Sequence, residues 1–202
     1  MKCFALTGGI ASGKSTVSAM LQKSNIPIIN ADVLARQVVE PNSAGIRQIA
    51  EIFGKDFLDN SGALNRKKMA DLIFTNAEAR KKLENITHPL IAEQLRFELN
   101  QYENKKTPYV IYEAPLIFEK GLQSFFDATI LVTAQIPIQE KRLKKRDNIS
   151  IEEVRTRMRT QMSTAEKEKQ AHFVIDNSGT LSETWDQLQR IWFQLTEESL
   201  KP

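Results

Sequence analysis

The stretch that decides the fold is GGIASGKST, residues 8–16. It follows the phosphate-loop pattern, in which two glycines, a lysine and a serine or threonine stand at fixed spacing. An apolar run, residues 4–7, precedes it, and an amphipathic helical pattern follows it from Lys14. In that context the backbone N–H groups of the loop and of the helix N-terminus converge on an anion. The stretch therefore predicts a binding site for the phosphates of a nucleotide.

Each residue type in this loop has a chemical reason to be there. Glycine lets the backbone approach a phosphate closely, because a Cβ atom would block that approach. The Lys14 ammonium group is expected to lie along the β- and γ-phosphates, and the Ser15 hydroxyl is expected to occupy one coordination position of Mg²⁺. The loop residues that we expect to bind the nucleotide are Ala11, Ser12, Gly13, Lys14, Ser15 and Thr16.

Composition limits the class of protein. The chain has 202 residues and a formal net charge of +3, and it contains one cysteine, Cys3. This length fits one domain with a substantial core, and a lone cysteine cannot form an internal disulfide. No apolar run reaches the roughly 18 residues of a membrane span, and the N-terminus lacks the pattern of a signal peptide. We therefore expect a cytoplasmic protein that does not enter a membrane.

Five short apolar runs read as strands. They are continuous rather than alternating, which is typical of strands covered on both faces of a parallel sheet. Helical patterns separate them, so the sequence predicts an α/β fold of the phosphate-loop nucleoside-triphosphate hydrolase type, with a five-stranded parallel sheet flanked by helices. The predicted strands are residues 2–7, 27–30, 109–113, 128–133 and 172–176.

Two segments interrupt this alternation. Residues 32–108 contain no convincing strand and predict a helical insertion that binds the acceptor, and residues 139–168 predict a small helical lid. The core is then formed by residues 1–31, 109–138 and 169–202. Within the insertion, Pro89 is expected to interrupt the longest helical pattern, residues 59–62 to form a turn, and a new helix to begin near Asn65.

Local signals also mark helices later in the chain. Capping-box pairs, a Ser or Thr followed three residues later by Glu, predict three helix starts. These pairs are Ser150 with Glu153, Ser163 with Glu166, and Thr180 with Glu183. The final helix carries apolar residues at helical spacing, which predicts a core-facing stripe. This stripe consists of Trp185, Leu188, Ile191, Trp192 and Leu195.

The predicted lid is strongly basic. Eight Lys or Arg residues stand against four acidic residues between positions 139 and 160. A nucleic-acid surface is one explanation, but no aromatic residue lies between Asp127 and His172 to stack on a base. A lid that brings guanidinium groups to the transferring phosphoryl group and excludes water is the better explanation. Arg142 is the first candidate for that contact and Arg146 the second.

Asp32 follows the second predicted strand, and two interpretations of it remain open. At the carboxyl edge of the sheet, its carboxylate suits an attacking hydroxyl, from which it could accept a proton. It fits equally well as the N-cap of a helix over residues 33–39. Arg36 lies one helical turn later on the same face and suits an anionic group of the acceptor.

Together these stretches resemble the dephospho-CoA kinase family, and the resemblance covers essentially the whole chain. The motifs that carry it are residues 7–16, Asp32 with Arg36 and the QVV that follows, HPL at 88–90, PLIFE at 115–119, and Arg142 with Arg146 and Asp147. One departure is Asn30, because the family commonly has Asp at this position; the change puts only a supporting role in doubt.

The resemblance implies phosphoryl transfer from ATP, with Mg²⁺, to the ribose 3′-hydroxyl of dephospho-CoA. It implies catalytic roles for Asp32, Lys14 and Arg142. It implies that the nucleotide is also contacted by Arg146 and Asn177. It implies that the acceptor is bound by Thr7, Asp32, Arg36, His88, Pro115 and Leu116.

Some residues fit more than one role. Asn177 is either a contact to the adenine or a turn residue. Glu113, at a strand end, either helps to hold Mg²⁺ through water or has a capping or ion-paired role. Glu119 is a further candidate for the acceptor site. We expect a monomer with no nucleic-acid partner. The alternatives are another small-molecule kinase with a nucleoside or nucleotide acceptor, and a nucleotide-dependent binding switch.

Overall fold

The chain folds into two compact units in the computed structural model, which describes residues 1–201. The first unit combines residues 1–28 with the chain from Lys106 onwards, and the second is Ile29–Lys105. The second unit is thus an insertion between two parts of the first. The segment predicted as a helical insertion, 32–108, corresponds closely to this second unit.

A parallel sheet organises the fold. Its strands are β1 (Lys2–Gly8), β2 (Ile28–Asn30), β3 (Tyr109–Glu113), β4 (Ala128–Thr133) and β5 (Phe173–Asp176). Their order is β2-β3-β1-β4-β5, with β1 parallel to β3 and β4, and β4 parallel to β5. The predicted strands are confirmed, with their ends correct to within one residue. The central position of β1 places the loop that follows it at the middle of the carboxyl edge.

Nine α-helices surround the strands in the described part of the chain. They are α1 (Lys14–Lys23), α2 (Ala31–Gln37), α3 (Ala44–Phe53), α4 (Arg66–Thr75), α5 (Ala77–Asn104), α6 (Ile136–Asp147), α7 (Ile151–Arg159), α8 (Thr164–Glu168) and α9 (Leu181–Thr196). Two short 3₁₀ helices occur at Lys55–Phe57 and Gln123–Phe125. Among the described helices, none combines the length and the apolar character needed to cross a membrane.

The core of the first unit lies between the central strands and α1 and α9. All six residues of β4 are buried, which explains why its sequence is continuously apolar rather than alternating. The predicted stripe of α9 is confirmed, because Leu188, Ile191 and Trp192 are buried and Trp185 and Leu195 pack against them.

The three helix starts predicted from capping pairs are confirmed. Full capping boxes begin α8 and α9. At α7 the Ser150 side chain accepts a hydrogen bond from the Glu153 N–H. The Glu153 carboxylate instead accepts a hydrogen bond from Arg157 Nη2 at 2.8 Å. At α7 the hydrogen bond from the Ser150 N–H to the Glu153 carboxylate is therefore replaced by an ion pair between Glu153 and Arg157 on the helix surface.

The second unit contains α2 to α5 around its own apolar cluster. Val39, Ile49, Met69 and Ile86 form the buried part of that cluster. The predicted turn at 59–62 is confirmed, since Asp59 Oδ1 accepts hydrogen bonds from the backbone of the residues that follow it. The predicted helix near Asn65 is also confirmed, with the Asn65 side chain as the N-cap of α4.

The prediction that Pro89 interrupts its helix is wrong. Helix α5 continues through Pro89 as one helix of 28 residues. A proline removes a single backbone N–H from the helical hydrogen bonds. Apolar packing on both sides of it, by Ile86 and Leu90 against the cluster of the second unit, holds the helix together.

Replacement of Trp192 should test the core of the first unit. Trp192 is 1% exposed, and its ring meets Phe4 and Tyr109 edge-on, with centroids 6.0 and 5.4 Å away. We expect Trp192→Ala to lower the free energy of unfolding by about 3–5 kcal/mol, because it removes buried area and leaves a cavity. Urea denaturation followed by far-UV circular dichroism measures this change.

The neighbouring Phe193 supplies the control. It is 56% exposed, so Phe193→Ala should change the free energy of unfolding by no more than about 0.5 kcal/mol. Equal losses in the two variants would contradict the assignment of Trp192 to the core.

Candidate active site

The phosphate loop leaves β1 at Gly8 and enters α1 at Lys14. Its turn needs two residues with positive φ, Ala11 at 57° and Gly13 at 93°. Gly13 is the N-cap of α1, and no described side chain caps this helix. The N-terminus of α1 therefore presents its first N–H groups to an anion, as the motif predicts.

Glycine is required at position 13 for a steric reason as well. A Cβ atom there would lie 1.8 Å from Asn177 Nδ2, far inside van der Waals contact. That nitrogen donates a hydrogen bond to the Ser12 carbonyl oxygen at 2.9 Å, and Asn177 is only 3% exposed. The close approach of Asn177 to the loop is possible only because residue 13 has no side chain.

The remaining polar groups of Asn177 are also engaged. Its Oδ1 accepts a hydrogen bond from Thr184 Oγ1 at 2.9 Å, and its carbonyl oxygen accepts one from Arg142 Nη2 at 2.9 Å. Both polar atoms of the Asn177 side chain thus have a partner within the protein. The side chain holds the phosphate loop to α9.

Arg142 lies on α6 and joins the same group of contacts. Its Nη1 donates to the Ser12 carbonyl oxygen at 3.3 Å, in addition to the bond to Asn177. The guanidinium group is thus beside the phosphate loop, where the sequence predicts it. An arginine at this distance adds positive potential to the loop.

Lys14 is paired with an acid that the sequence did not assign. Its Nζ forms an ion pair with Glu113 Oε1, and Ser18 Oγ donates to Glu113 Oε2 at 2.8 Å. Glu113 ends β3 and is 6% exposed. The loop lysine therefore faces a carboxylate at the carboxyl edge of the sheet, and the charge of that buried carboxylate is compensated.

Thr7 and Pro115 are connected at this edge. Thr7 is fully buried, and its Oγ1 donates to the Pro115 carbonyl oxygen at 3.3 Å. This bond ties the end of β1 to the loop that follows β3. Pro115 and Leu116 are half-buried in that loop. The first unit thus brings Thr7 and Pro115 into contact.

The predicted lid consists mainly of α6 and α7, which are joined by ion pairs. Arg155 Nε lies 2.7 Å from Glu140 Oε1, and Arg157 Nη1 lies 2.8 Å from Asp147 Oδ2. Arg146 is 59% exposed at its side chain and also binds Asp147, with Nε 2.7 Å from Oδ1. The hydrogen bond from Arg146 lowers the pKa of the Asp147 carboxyl below its ordinary value. Glu140 and Asp147 of α6 thus hold the two helices together through Arg155 and Arg157 of α7.

A cavity of about 1030 Å³ opens in the first unit beside the phosphate loop. Gly9 and Ile10 contribute to its wall, together with residues from the start of α6, the end of α7 and α8. Its volume is at the upper end of the range for small-molecule sites, about 300–1,000 Å³. Space of this kind suits a nucleotide next to a phosphate loop.

Three predicted acceptor residues lie in the second unit, all of them exposed. Asp32 and Arg36 are on α2, four residues apart and therefore on one face of the helix, and His88 is on α5. The interpretation of Asp32 as a helix cap is wrong. Helix α2 begins two residues earlier than predicted, and its N-cap is Asn30, whose Oδ1 accepts hydrogen bonds from the Asp32 and Val33 N–H groups at 2.9 and 3.1 Å.

Asn30 therefore caps α2 in place of Asp32. An Asp side chain caps a helix as well as Asn does, which accounts for the departure from the family pattern at this position. The Asp32 carboxylate is left in the first turn of α2 without a capping role.

No cluster of three or more His, Cys, Asp or Glu residues suited to a metal occurs within residues 1–201. A phosphate-loop enzyme does not need one, because the nucleotide phosphates and water supply most of the ligands of Mg²⁺. Ser15 is exposed in the first turn of α1, so its hydroxyl is accessible for the single protein contact that the motif predicts.

Sequence reasoning missed three side chains at this site. They are Glu113 as the partner of Lys14, Gln161 as the partner of the Ile10 N–H at 2.8 Å, and Lys167 as the ion-pair partner of Glu119 at 2.7 Å. The position of Glu113 at a strand end was the only signal available. Gln161 and Lys167 stand in a polar stretch that gives no hint of a buried role.

Comparison with known proteins gives a consistent result. A family model described as dephospho-CoA kinase matches residues 2–183. A dephospho-CoA kinase of Oceanobacillus iheyensis is 43% identical over 186 residues, which are 92% of this chain and 94% of the relative. Among solved structures, a Thermus thermophilus protein has a TM-score of 0.85 at 34% identity and covers 96% of this chain and 98% of its own.

A second solved structure agrees. A dephospho-CoA kinase from Campylobacter jejuni has a TM-score of 0.73 at 29% identity, with 98% of both chains covered. The matched range includes the phosphate loop, Asp32, Arg36, His88 and Arg142. On this evidence the chain belongs to the dephospho-CoA kinase family.

Proposed function

We propose that this protein transfers the γ-phosphoryl group of ATP to the ribose 3′-hydroxyl of dephospho-CoA, giving CoA and ADP. The observation that carries the proposal is the phosphate loop, with Lys14 and Arg142 beside it, in a chain that matches the dephospho-CoA kinase family over residues 2–183. This reaction is the last step of coenzyme A synthesis.

The phosphate loop would bind ATP through the backbone of residues 11–16. In this step Lys14 would leave the Glu113 carboxylate and turn to the β- and γ-phosphates. The exposed Ser15 would hold Mg²⁺, which when bound neutralises charge on these two phosphates. Because catalysis of phosphoryl transfer depends mainly on positioning and charge, a rigid loop with a movable cation suits the reaction.

Asp32 is proposed as the base for the acceptor hydroxyl. The 3′-oxygen forms a bond to the γ-phosphorus while the bond from that phosphorus to the β–γ bridging oxygen breaks and ADP leaves. The proton of the hydroxyl passes to the Asp32 carboxylate and then to water. Asn30 supports this role because it caps α2 and leaves the Asp32 carboxylate available.

The other predicted residues take supporting roles in the proposal. Arg36, His88, Thr7, Pro115 and Leu116 would contribute to binding the acceptor. Arg142 would meet the transferring phosphoryl group. Arg146 would join it after release from Asp147.

Asn177 has a different role in this proposal from the contact to adenine first expected. Both polar atoms of its side-chain amide are bound within the protein. We propose that it positions the Ser12 carbonyl and so preserves the shape of the phosphate loop.

We further expect the enzyme to act as a monomer in the cytoplasm, without a nucleic-acid partner. Three of the basic side chains of the predicted lid are paired with lid acids, which reduces the charge available to a phosphate backbone. A steep dependence of nucleic-acid binding on salt concentration would contradict this expectation.

The acceptor is tested by incubating the protein with ATP, Mg²⁺ and dephospho-CoA, with adenosine and AMP in parallel reactions. ADP release and the mass of each acceptor are measured. A gain of one phosphate by dephospho-CoA alone is the expected result. A gain by AMP or adenosine alone would indicate a different small-molecule kinase, and ATP binding without transfer to any acceptor would indicate a nucleotide-dependent switch.

We expect Asp32→Asn to lower kcat by about 100-fold to 10,000-fold, because the amide cannot accept the proton of the 3′-hydroxyl. The dissociation constant of ATP should stay unchanged, since Asp32 is not assigned to the nucleotide. Steady-state kinetics and calorimetric titration measure the two quantities. Asp71→Asn, an exposed change on α4, is the matched control and should leave kcat at the native value. A native rate in Asp32→Asn would remove Asp32 from the mechanism.

We expect Arg142→Ala to lower kcat by about 100-fold, because it removes a charged donor from the transferring phosphoryl group. The dissociation constant of ATP should rise by no more than about threefold, which corresponds to less than 1 kcal/mol. Lys145→Ala, an exposed change on the same helix, serves as the control. Equal losses of turnover and ATP affinity would show that Arg142 acts only by holding the Ser12 carbonyl.

A further inference from the structure

Lys167 is a buried lysine that has no role in the proposed mechanism. It lies on α8 and is 1% exposed, and its Nζ is 2.7 Å from Glu119 Oε1. Removing both charges from water is costly, and apolar residues of similar volume often stabilise a protein as well as such a pair does. Stability alone therefore gives a poor account of the pair, whereas a geometric role would explain it.

The contacts around this pair point to such a role. Glu119 Oε1 also accepts a hydrogen bond from the Met162 N–H at 3.2 Å. Met162 follows α7 after only two intervening residues, so Glu119 holds the chain just after α7, within the predicted lid. Glu119 itself belongs to the loop after β3, which Thr7 connects to the end of β1.

The residue before Met162 makes a second connection. Gln161 Oε1 accepts a hydrogen bond from the Ile10 N–H at 2.8 Å. Two consecutive residues thus attach the end of α7 to two different loops, the phosphate loop and the loop after β3. We call Glu119, Gln161 and Lys167 the lid anchor.

The predicted lid is itself stiffened by ion pairs between α6 and α7, which involve Glu140, Asp147, Arg155 and Arg157. A stiff helical pair transmits a displacement at its base to its far end. A loss of the anchor would therefore move the whole of α7, including Arg159, which makes no ion pair with any residue of the described chain and borders the cavity beside the phosphate loop.

We propose that the lid anchor positions the predicted lid so that it excludes water from the transferring phosphoryl group. The inference rests on the proposed kinase function. With the anchor in place, the γ-phosphoryl group goes to the acceptor hydroxyl. Without it, water reaches the same phosphorus atom, the bond to the β–γ bridging oxygen breaks, and ATP and water become ADP and inorganic phosphate.

The experiment measures two products in one reaction, ADP and phosphorylated dephospho-CoA. The ratio of ADP formed to dephospho-CoA phosphorylated is then compared among variants. Gln161→Leu removes the acceptor of the Ile10 N–H and leaves the buried ion pair intact. Lys167→Met combined with Glu119→Gln removes both charges while it retains an oxygen for the Met162 N–H. The matched control is Lys169→Met, an exposed change two residues from Lys167.

We expect a ratio near one for the native protein and for Lys169→Met. In both anchor variants the ratio of ADP to phosphorylated dephospho-CoA should rise about threefold or more. The rate of transfer to the acceptor should fall by about 10-fold, because a displacement of up to about 1 Å disturbs the alignment of the reacting groups. Circular dichroism and thermal unfolding establish that each variant is folded.

A ratio that stays at one in both variants would overturn the proposal, whatever happens to the rate, because partial unfolding lowers both products equally. Gln161→Leu decides the matter if the double variant does not fold. The native reaction separates this failure from that of the kinase function, since native protein that does not phosphorylate dephospho-CoA would contradict the function itself.

Discussion

The carbonyl oxygen of Ser12 is the point on which the phosphate-binding side of the structure depends. It accepts hydrogen bonds from Asn177, which follows β5, and from Arg142 on α6. Thr184 of α9 in turn donates a hydrogen bond to Asn177. The bond from Asn177 forms only because Gly13 has no side chain. The absence of a side chain at one position of the motif thus allows residues far away in the chain to hold the loop.

The features that the sequence predicted correctly are those with a local physical cause. The strands could be read from continuous apolar runs because both faces of the sheet are covered, and the starts of α7, α8 and α9 from short-range capping pairs. The cap interpretation of Asp32 and the predicted break at Pro89, which the structure contradicts, both involve competition between local signals. Asn30 and Asp32 are both good caps, and the backbone selects Asn30. Pro89 is a helix breaker by itself, but packing around it outweighs the one lost hydrogen bond.

In the candidate site, too, the residues that could be predicted are those of a local motif. The phosphate loop is a contiguous motif, so its residues could be named before the structure was known. The pairs Lys14–Glu113, Ile10–Gln161 and Glu119–Lys167 join residues that are 48 or more positions apart. Such pairs leave no trace in spacing or periodicity, because neither partner changes the local pattern around the other. Only the folded chain shows that an ordinary Lys in a polar stretch is buried.

The pairing of Lys14 with Glu113 has a consequence for selectivity. Any anion that enters the phosphate loop has to compete with a carboxylate already in contact with the ammonium group. A weakly charged anion, such as chloride, gains little from that exchange, because it replaces one ion pair with another of similar strength. A triphosphate carries several charges and also meets the N–H groups of the loop and helix, so it gains more than the carboxylate loses. The resting ion pair thereby favours a multiply charged phosphate ligand over a singly charged anion.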